Sequence, residues 1–209
     1  MKTILDNTSY ELTEKKSKFI ANLFYVENIE DIEKNLKNIK KKYHDAKHNC
    51  YAYSIMTENG IINKMSDDGE PSGTAGGPML NILNKNELVN VLIVVTRYFG
   101  GILLGTGGLV KAYSDSTINA IQKAKIVSQE EGYELEVIIE YPELEKFNYY
   151  CNKNNILITK IDYDEKIKCK IEVTKKEKED LIKLKEEMKL KIEKIKILKE
   201  KNIRKNIEK

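Results

Sequence analysis

Tryptophan is absent from this 209-residue chain, and cysteine and proline occur three times each. Arginine occurs only twice, as Arg97 and Arg204. These scarcities exclude whole classes. Cys50, Cys151 and Cys169 are odd in number and widely spaced, which argues against a disulfide framework. No apolar run approaches the roughly 18 residues that a membrane span requires. The longest, Val91–Val95, has the length of a buried strand. The opening "MKTILDNTSYELTEKKSKF" lacks the apolar stretch and small-residue cleavage site of a signal peptide, so a cytoplasmic location is expected.

Charge is plentiful and nearly balanced. The net +3 comes from 36 basic and 33 acidic residues, which reads as solvated surface and gives no licence for nucleic-acid binding by itself. Because lysine dominates the basic residues, Arg97 departs from the habit of the chain. Its planar fork suits a phosphate or carboxylate better than an ammonium does, and a structural ion pair is the competing role.

Glycine is the residue with the most uneven distribution. Ten of eleven glycines lie between Gly60 and Gly108, and the other is Gly132. Beyond it the chain is charged and periodic, which predicts a boundary near residues 126–133 with Ser128 to Gly132 as connector. The expected units are 1–127 and 128–200, followed by a frayed charged tail over 201–209.

In the first unit, residues 17–26 read as a strand with Phe19, Ala21, Leu23 and Tyr25 alternating. Asn28 is placed to cap a helix whose apolar face carries Ile29, Ile32, Leu36 and Ile39. Residues 49–57 and 60–65 form a hairpin around Glu58-Asn59-Gly60. "DDGEPSGTAGGP" (67–78) holds too many breakers for regular structure before Met79–Leu83. Residues 88–96 are a buried strand, and a helix runs from about Gly108 to Lys125. The second unit reads β-α-β-β-α-β: strands at 134–140, 156–163, 166–173 and 190–198, and helices after Pro142 and Thr174. Thr174 and Glu177 have the spacing of a capping box. That order is a ferredoxin-like unit, so the expected class is α+β in two domains.

Three segments carry candidate chemistry. "RYFGGILLGTGGLVK" (97–111) places Gly100, Gly101, Gly105, Gly107 and Gly108 between a strand and a helix. It is not a P-loop, because Thr106 and Gly107 stand where Lys and Ser/Thr belong, and Val110 breaks the dinucleotide fingerprint. What survives is a backbone able to approach a ligand at a helix N-terminus, receptive to phosphate or carboxylate, with Arg97, Thr106 and Lys111 at hand. Positive φ and close packing are the competing reasons for those glycines.

The second segment, Asp67 to Thr74, holds Asp67, Asp68, Glu70, Ser72 and Thr74; magnesium is conceivable there, but Asp-Gly and Glu-Pro are ordinary turn chemistry. In the third, His44 and His48 imitate zincin spacing without a third ligand, so no metal is expected. His48 and Cys50 share a strand face, and a Cys-His nucleophile competes there with a buried structural thiol. No catalytic residue and no cofactor are assigned.

Taken in order, "SKFIANLFYV", "DAKHNCYAY", "DDGEPSGTAGGPML" and "VVTRYFGGILLGTGGLVKAYSD" closely resemble the YigZ/IMPACT family over residues 10 to 125. The resemblance implies a first domain like the second domain of ribosomal protein S5, also seen in domain IV of elongation factor G. It implies a second domain like domain V of that factor. Eukaryotic members restrain a starvation-responsive kinase of translation initiation with the help of an additional RWD domain; that activity is not carried over to this sequence. For bacterial-type members the resemblance implies RNA or ribosome binding without an assigned reaction. A non-enzymatic module near translation is therefore the leading expectation, with Tyr51, Tyr53, Tyr98 and Tyr113 as candidates for base stacking. An enzyme or sensor for a phosphorylated small molecule or nucleotide at the glycine loop is the alternative, by fold-level analogy with small-molecule kinases. A protein-protein regulator is a third.

Overall fold

The computed structural model describes residues 1–206, which divide into compact units Met1–Ser128 and Gln129–Lys205. In the first unit, β1 (Lys2–Ile4), β2 (Thr8–Glu14) and β3 (Ser17–Tyr25) lead to α1 (Ile29–Lys42). The hairpin β4 (His48–Thr57) and β5 (Gly60–Ser66) precedes α2 (Gly76–Lys85), β6 (Val91–Tyr98) and α3 (Gly105–Lys123). Five strands form an antiparallel sheet in the order β2-β3-β6-β4-β5.

The run Val91–Val95 is apolar throughout because β6 is the central strand with both faces covered. Val91, Ile93 and Val95 join the core shared with Met79 and Leu83 of α2 and with Leu109, Ala112 and Tyr113 of α3. Leu92 and Val94 pack with Ile32 and Ile39 of α1 on the other face. Asn28 does cap α1, its side chain accepting from the Asp31 amide at 2.8 Å. Lys40, Lys41 and Lys42 occupy the last turn, where they complement the helix dipole.

In the second unit, β7 (Ile126–Ile139) leads through a 3-10 turn into α4 (Leu144–Lys153), then β8 (Leu157–Tyr163), β9 (Ile167–Thr174), α5 (Lys175–Glu186) and β10 (Ile192–Asn206). β7 pairs with β9 and β10, and β9 with β8, which is the ferredoxin-like order. Leu135, Val137 and Ile139 of β7 and Ile167, Cys169, Ile171 and Val173 of β9 alternate onto Phe147, Cys151 and Leu181 of the helices. The Thr174–Glu177 capping box forms as its spacing predicts.

Three expectations need correction. The Ser128–Gly132 connector is not a loop: β7 runs through it, with Ile126, Val127 and Ser128 paired to β1 and Gly132–Ile139 paired to β9. Gly132 is needed there because a Cβ would lie 2.1 Å from the Val173 carbonyl oxygen. The tail is strand as far as Asn206, and residues 207–209 lie outside the described residues. Its lysines are held by opposite charges, Lys201 Nζ 2.6 Å from Glu172 and Lys205 Nζ 2.7 Å from Glu177, as is Lys199 just before it, 3.6 Å from Glu134. Finally, α2 starts inside the breaker-rich segment. Gly76, Gly77 and Pro78 form its first turn, where amides have no partner within the helix and proline costs nothing.

Candidate functional site

The cap that makes α2 possible comes from nine residues upstream. Asp67 Oδ1 accepts from the Ala75 and Gly76 amides at 3.0 and 2.8 Å, and Oδ2 from Gly73 at 2.8 Å. Burial raises the Asp67 pKa, but these three amides outweigh it and hold the carboxyl below its usual range. A group depressed in the folded state stabilises above its unfolded pKa, so the Asp67 contribution is lost as pH falls below about 4. The side chain is engaged in capping, and so is the backbone around it. Asp67 O accepts from the Cys50 thiol at 2.9 Å, Asp68 O contacts His48 Nδ1 at 2.9 Å, and Asp68 Oδ2 accepts from the Asn49 amide at 2.7 Å. Thr74 turns its hydroxyl onto Pro71 O at 2.6 Å. Ser72 and Gly73 are exposed at the tip.

Glu70 brings this loop to β6 and α3. Arg97 Nη1 donates to both Glu70 oxygens, at 2.7 and 3.0 Å, and Tyr113 Oη donates to Oε1 at 2.9 Å. Behind Tyr113, Cys50 Sγ lies 3.3 Å from the phenol oxygen, close enough to share the one thiol proton that also points to Asp67 O. The ionic side chains are only 8% and 3% exposed. The Arg97 guanidinium lies between two rings, 5.5 Å from the Phe19 centroid and 5.7 Å from that of Phe99. Arg97 therefore takes the ion-pair role, not that of an open fork for phosphate.

Burial pushes the Cys50 thiol up to about 12 and the Tyr113 phenol further up still. A thiol in that state is no nucleophile at neutral pH. Cys151 and Cys169 are likewise buried and raised, to about 12 and about 11. All three thiols should resist a thiol reagent at pH 8 and react once the chain is denatured. Prompt, selective labelling of Cys50 in the folded protein would restore the Cys-His reading.

The glycine segment serves several purposes. Gly100 abuts the β2–β3 turn: a Cβ there would lie 2.0 Å from Lys16 C, and its amide donates to Ser17 Oγ at 3.1 Å. Gly101 and Gly105 have φ of 85° and 71°, which glycine adopts without strain. Gly108 fits against Leu104, whose Cβ would be 3.0 Å from an added one. Gly101, Gly105 and Gly107 all have open space around the Cβ position, and of the three only Gly107 also has a φ that other residues adopt freely. α3 begins at Gly105 without a side-chain cap and without an acidic residue in its first turn, so its leading amides at Gly105, Thr106 and Gly107 are exposed. Lys111 is exposed one turn further on.

The structure thus joins Cys50, Glu70, Arg97 and Tyr113 into one buried network, places His48, Asp67 and Asp68 beside it, and leaves Ser72, Thr106 and Lys111 at the surface. Among the described residues no group of three or more His, Cys, Asp or Glu side chains is arranged to hold a metal. Tyr53 and Tyr113 are core residues and cannot stack on a base, and Tyr51 lies half-buried against Tyr53. The network member whose role sequence reasoning missed is Tyr113. Its signal was helical spacing with Leu109, Ala112, Ser116 and Ala120, all on the buried face of α3.

Comparison with known proteins places this geometry. The Impact N-terminal domain matches residues 15–121, which include the whole network. IMPACT family member YvyE of Bacillus subtilis (strain 168) is 37% identical over 175 residues, covering 84% of this chain and 80% of that protein. The chain belongs to the IMPACT family. Residues 137–184 match a domain of unknown function (DUF1949). The Protein IMPACT homolog of Dictyostelium discoideum is 48% identical over 101 residues, 47% of this chain but only 29% of its own length. A solved structure titled as a hypothetical protein has a TM-score of 0.62 at 27% identity, covering 95% of this chain and 97% of the other. Among the described residues, no helix is long and apolar enough to cross a membrane.

Proposed function

We propose that this IMPACT-family chain is a non-enzymatic, cytoplasmic RNA- or ribosome-binding protein connected with translation. The observation that carries the reading is the closure of the Glu70–Arg97–Tyr113–Cys50 network. Every group there with acid, base or nucleophilic chemistry already has a partner inside the protein, and the thiol is held protonated. What the surrounding loops offer to solvent is backbone amides at the start of α3, the Lys111 ammonium and apolar side chains, groups suited to contact and not to turnover. The translation-factor-like domain pair that the family resemblance implies points the same way.

Sedimentation with purified ribosomes tests this. The protein is expected in the ribosomal fraction at low salt, released as salt rises and lost after nuclease treatment. Retention in the supernatant at low salt would remove the reading, and nuclease-resistant capture would favour a protein partner.

One observation favours a second reading, a sensor or enzyme for a phosphorylated small molecule: the uncapped α3 N-terminus with open space beside Gly107. A nucleotide or phosphorylated metabolite that raises the melting temperature of wild type but not of Gly107→Val would support it.

A further inference from the structure

One end of the first unit's sheet collects positive charge from three separate segments. Glu14 pairs with Ser17, so Lys15 and Lys16 form the two-residue turn between β2 and β3. Across the sheet, Lys18 stands opposite Tyr98, and Arg97 opposite His48. The β2–β3 turn, the end of β6 and the start of β4 therefore lie side by side, with strand spacings of about 5 Å. Tyr98 Oη donates to Asp45 Oδ1 at 2.7 Å, which ties the end of α1 and the segment after it to the same edge. The exposed lysines brought together are Lys15, Lys16, Lys41, Lys42 and Lys47.

Of the carboxylates nearby, Glu70 is paired with Arg97 and Asp67 caps α2. Asp45, bonded to the neutral Tyr98 hydroxyl, and Glu14, beside Lys15, offset two of the five lysine charges and leave a positive excess. Glu11 lies 2.7 Å from Lys18, and Asp68 is 3.9 Å from Lys40, which leaves the five named lysines outside those pairs.

An aromatic ring stands at this edge. Phe99 is 55% exposed, although it follows directly on a buried strand. The Arg97 guanidinium, fixed by Glu70, is 5.7 Å from its centroid and buttresses the ring. A duplex hides the faces of its bases, so a supported open ring among cations fits unpaired bases with their phosphates alongside.

We propose that this edge is the RNA-binding surface and that its ligand is single-stranded: phosphates on Lys15, Lys16 and Lys47, and a base stacked on Phe99. The inference rests on the RNA reading above and narrows it to a surface and a strand form. It also gives the buried ion pair a second consequence, since Arg97 acts on the ligand through Phe99 as a positioning residue.

The test is fluorescence anisotropy of the full chain with a labelled oligouridylate and with an RNA hairpin of equal charge. Wild type is expected to prefer the oligouridylate. Lys15 and Lys16 have φ of 45° and 64°, as a primed turn requires, so Lys15→Asn with Lys16→Gly removes both charges in a sequence that the turn favours. This double variant should lose about tenfold or more in affinity at low salt. The slope of log affinity against log salt should fall by about 1.4. Phe99→Ala should lose about tenfold while Phe99→Tyr stays near wild type. Lys176→Gln with Lys183→Gln, on α5, is the charge-matched control and should bind as wild type.

Wild type that binds neither RNA at low salt overturns both the inference and the RNA reading. Binding to poly-glutamate in its place would assign the surface to an acidic protein. RNA binding weakened equally by the control pair, or untouched by the turn variant, overturns the surface alone. Preference for the hairpin overturns the single-strand assignment.

Discussion

Glu70→Ala is expected to cost the first unit about 3–5 kcal/mol, the usual result of removing one half of a buried ion pair. The loss is large because Arg97 has no reserve. Its side chain is 8% exposed, and its Nε is buried without a partner even with Glu70 present. Removing the carboxylate leaves a charge between two aromatic rings and deprives Tyr113 Oη of its acceptor. It also releases the 67–74 loop, and with it the Asp67 cap of α2. Glu70→Leu combined with Arg97→Met takes both charges away and should recover much of the loss. Hydrogen exchange of the β6 amides is the suitable measurement, because it reports the first unit without interference from the second. In Glu70→Ala these amides should exchange about 10²- to 10⁴-fold faster. Unchanged exchange would mean that the pair contributes nothing, and would return Arg97 to the list of free ligands for phosphate.

Gly100→Ala is the second severe change. The added methyl would lie 2.0 Å from Lys16 C, 2.1 Å from Lys16 O and 2.4 Å from Ser17 N, all of them backbone atoms of a tight turn. No rotamer change relieves such a clash. Either the β2–β3 hairpin or the end of β6 must move, at a cost of about 3 kcal/mol or more. Gly107→Ala, seven residues on in the same run, should do the opposite. Nothing lies within 4 Å of its Cβ position, and alanine in a helix is favoured over glycine by up to about 1 kcal/mol. Thermal melts of the two variants should move in opposite directions. A Gly100→Ala protein that melts with wild type would mean that the hairpin does not sit where the structure has it.

What could be read in the sequence was mainly what depends on near neighbours. The α1 face, the buried run of β6, the Thr174–Glu177 box and the β-α-β-β-α-β order all follow from spacings within one element. α2 was hidden because its capping residue lies nine positions upstream and its first turn is written in glycine and proline. β10 was cut short because a lysine-rich run looks solvated until the glutamates opposite it are known. Around Arg97 the two roles could not be separated. Its partner Glu70 is 27 positions earlier in a loop, and only the pairing of β4 with β6 brings them together. Lys15 and Lys16 carried no signal as two lysines among many; their turn and register gave them a place.

The position of β6 in the sheet also bears on how the chain is made. Phe19 of β3 pairs with Arg97 of β6, and His48 of β4 pairs with the same residue. During synthesis β3 and β4 therefore emerge on either side of a gap whose occupant is still untranslated. The separation of 78 residues between Phe19 and Arg97 corresponds to about 4–16 s at ordinary elongation rates. Through that interval the β2–β3 hairpin, joined by the β4–β5 hairpin once Ser66 has been made, holds an apolar strand with one edge unpaired. Nascent-chain folding should consequently be abrupt, with the first unit closing only after Tyr98 has cleared the exit tunnel. Slowing translation between codons 26 and 90 would lengthen the interval in which those edges can pair wrongly.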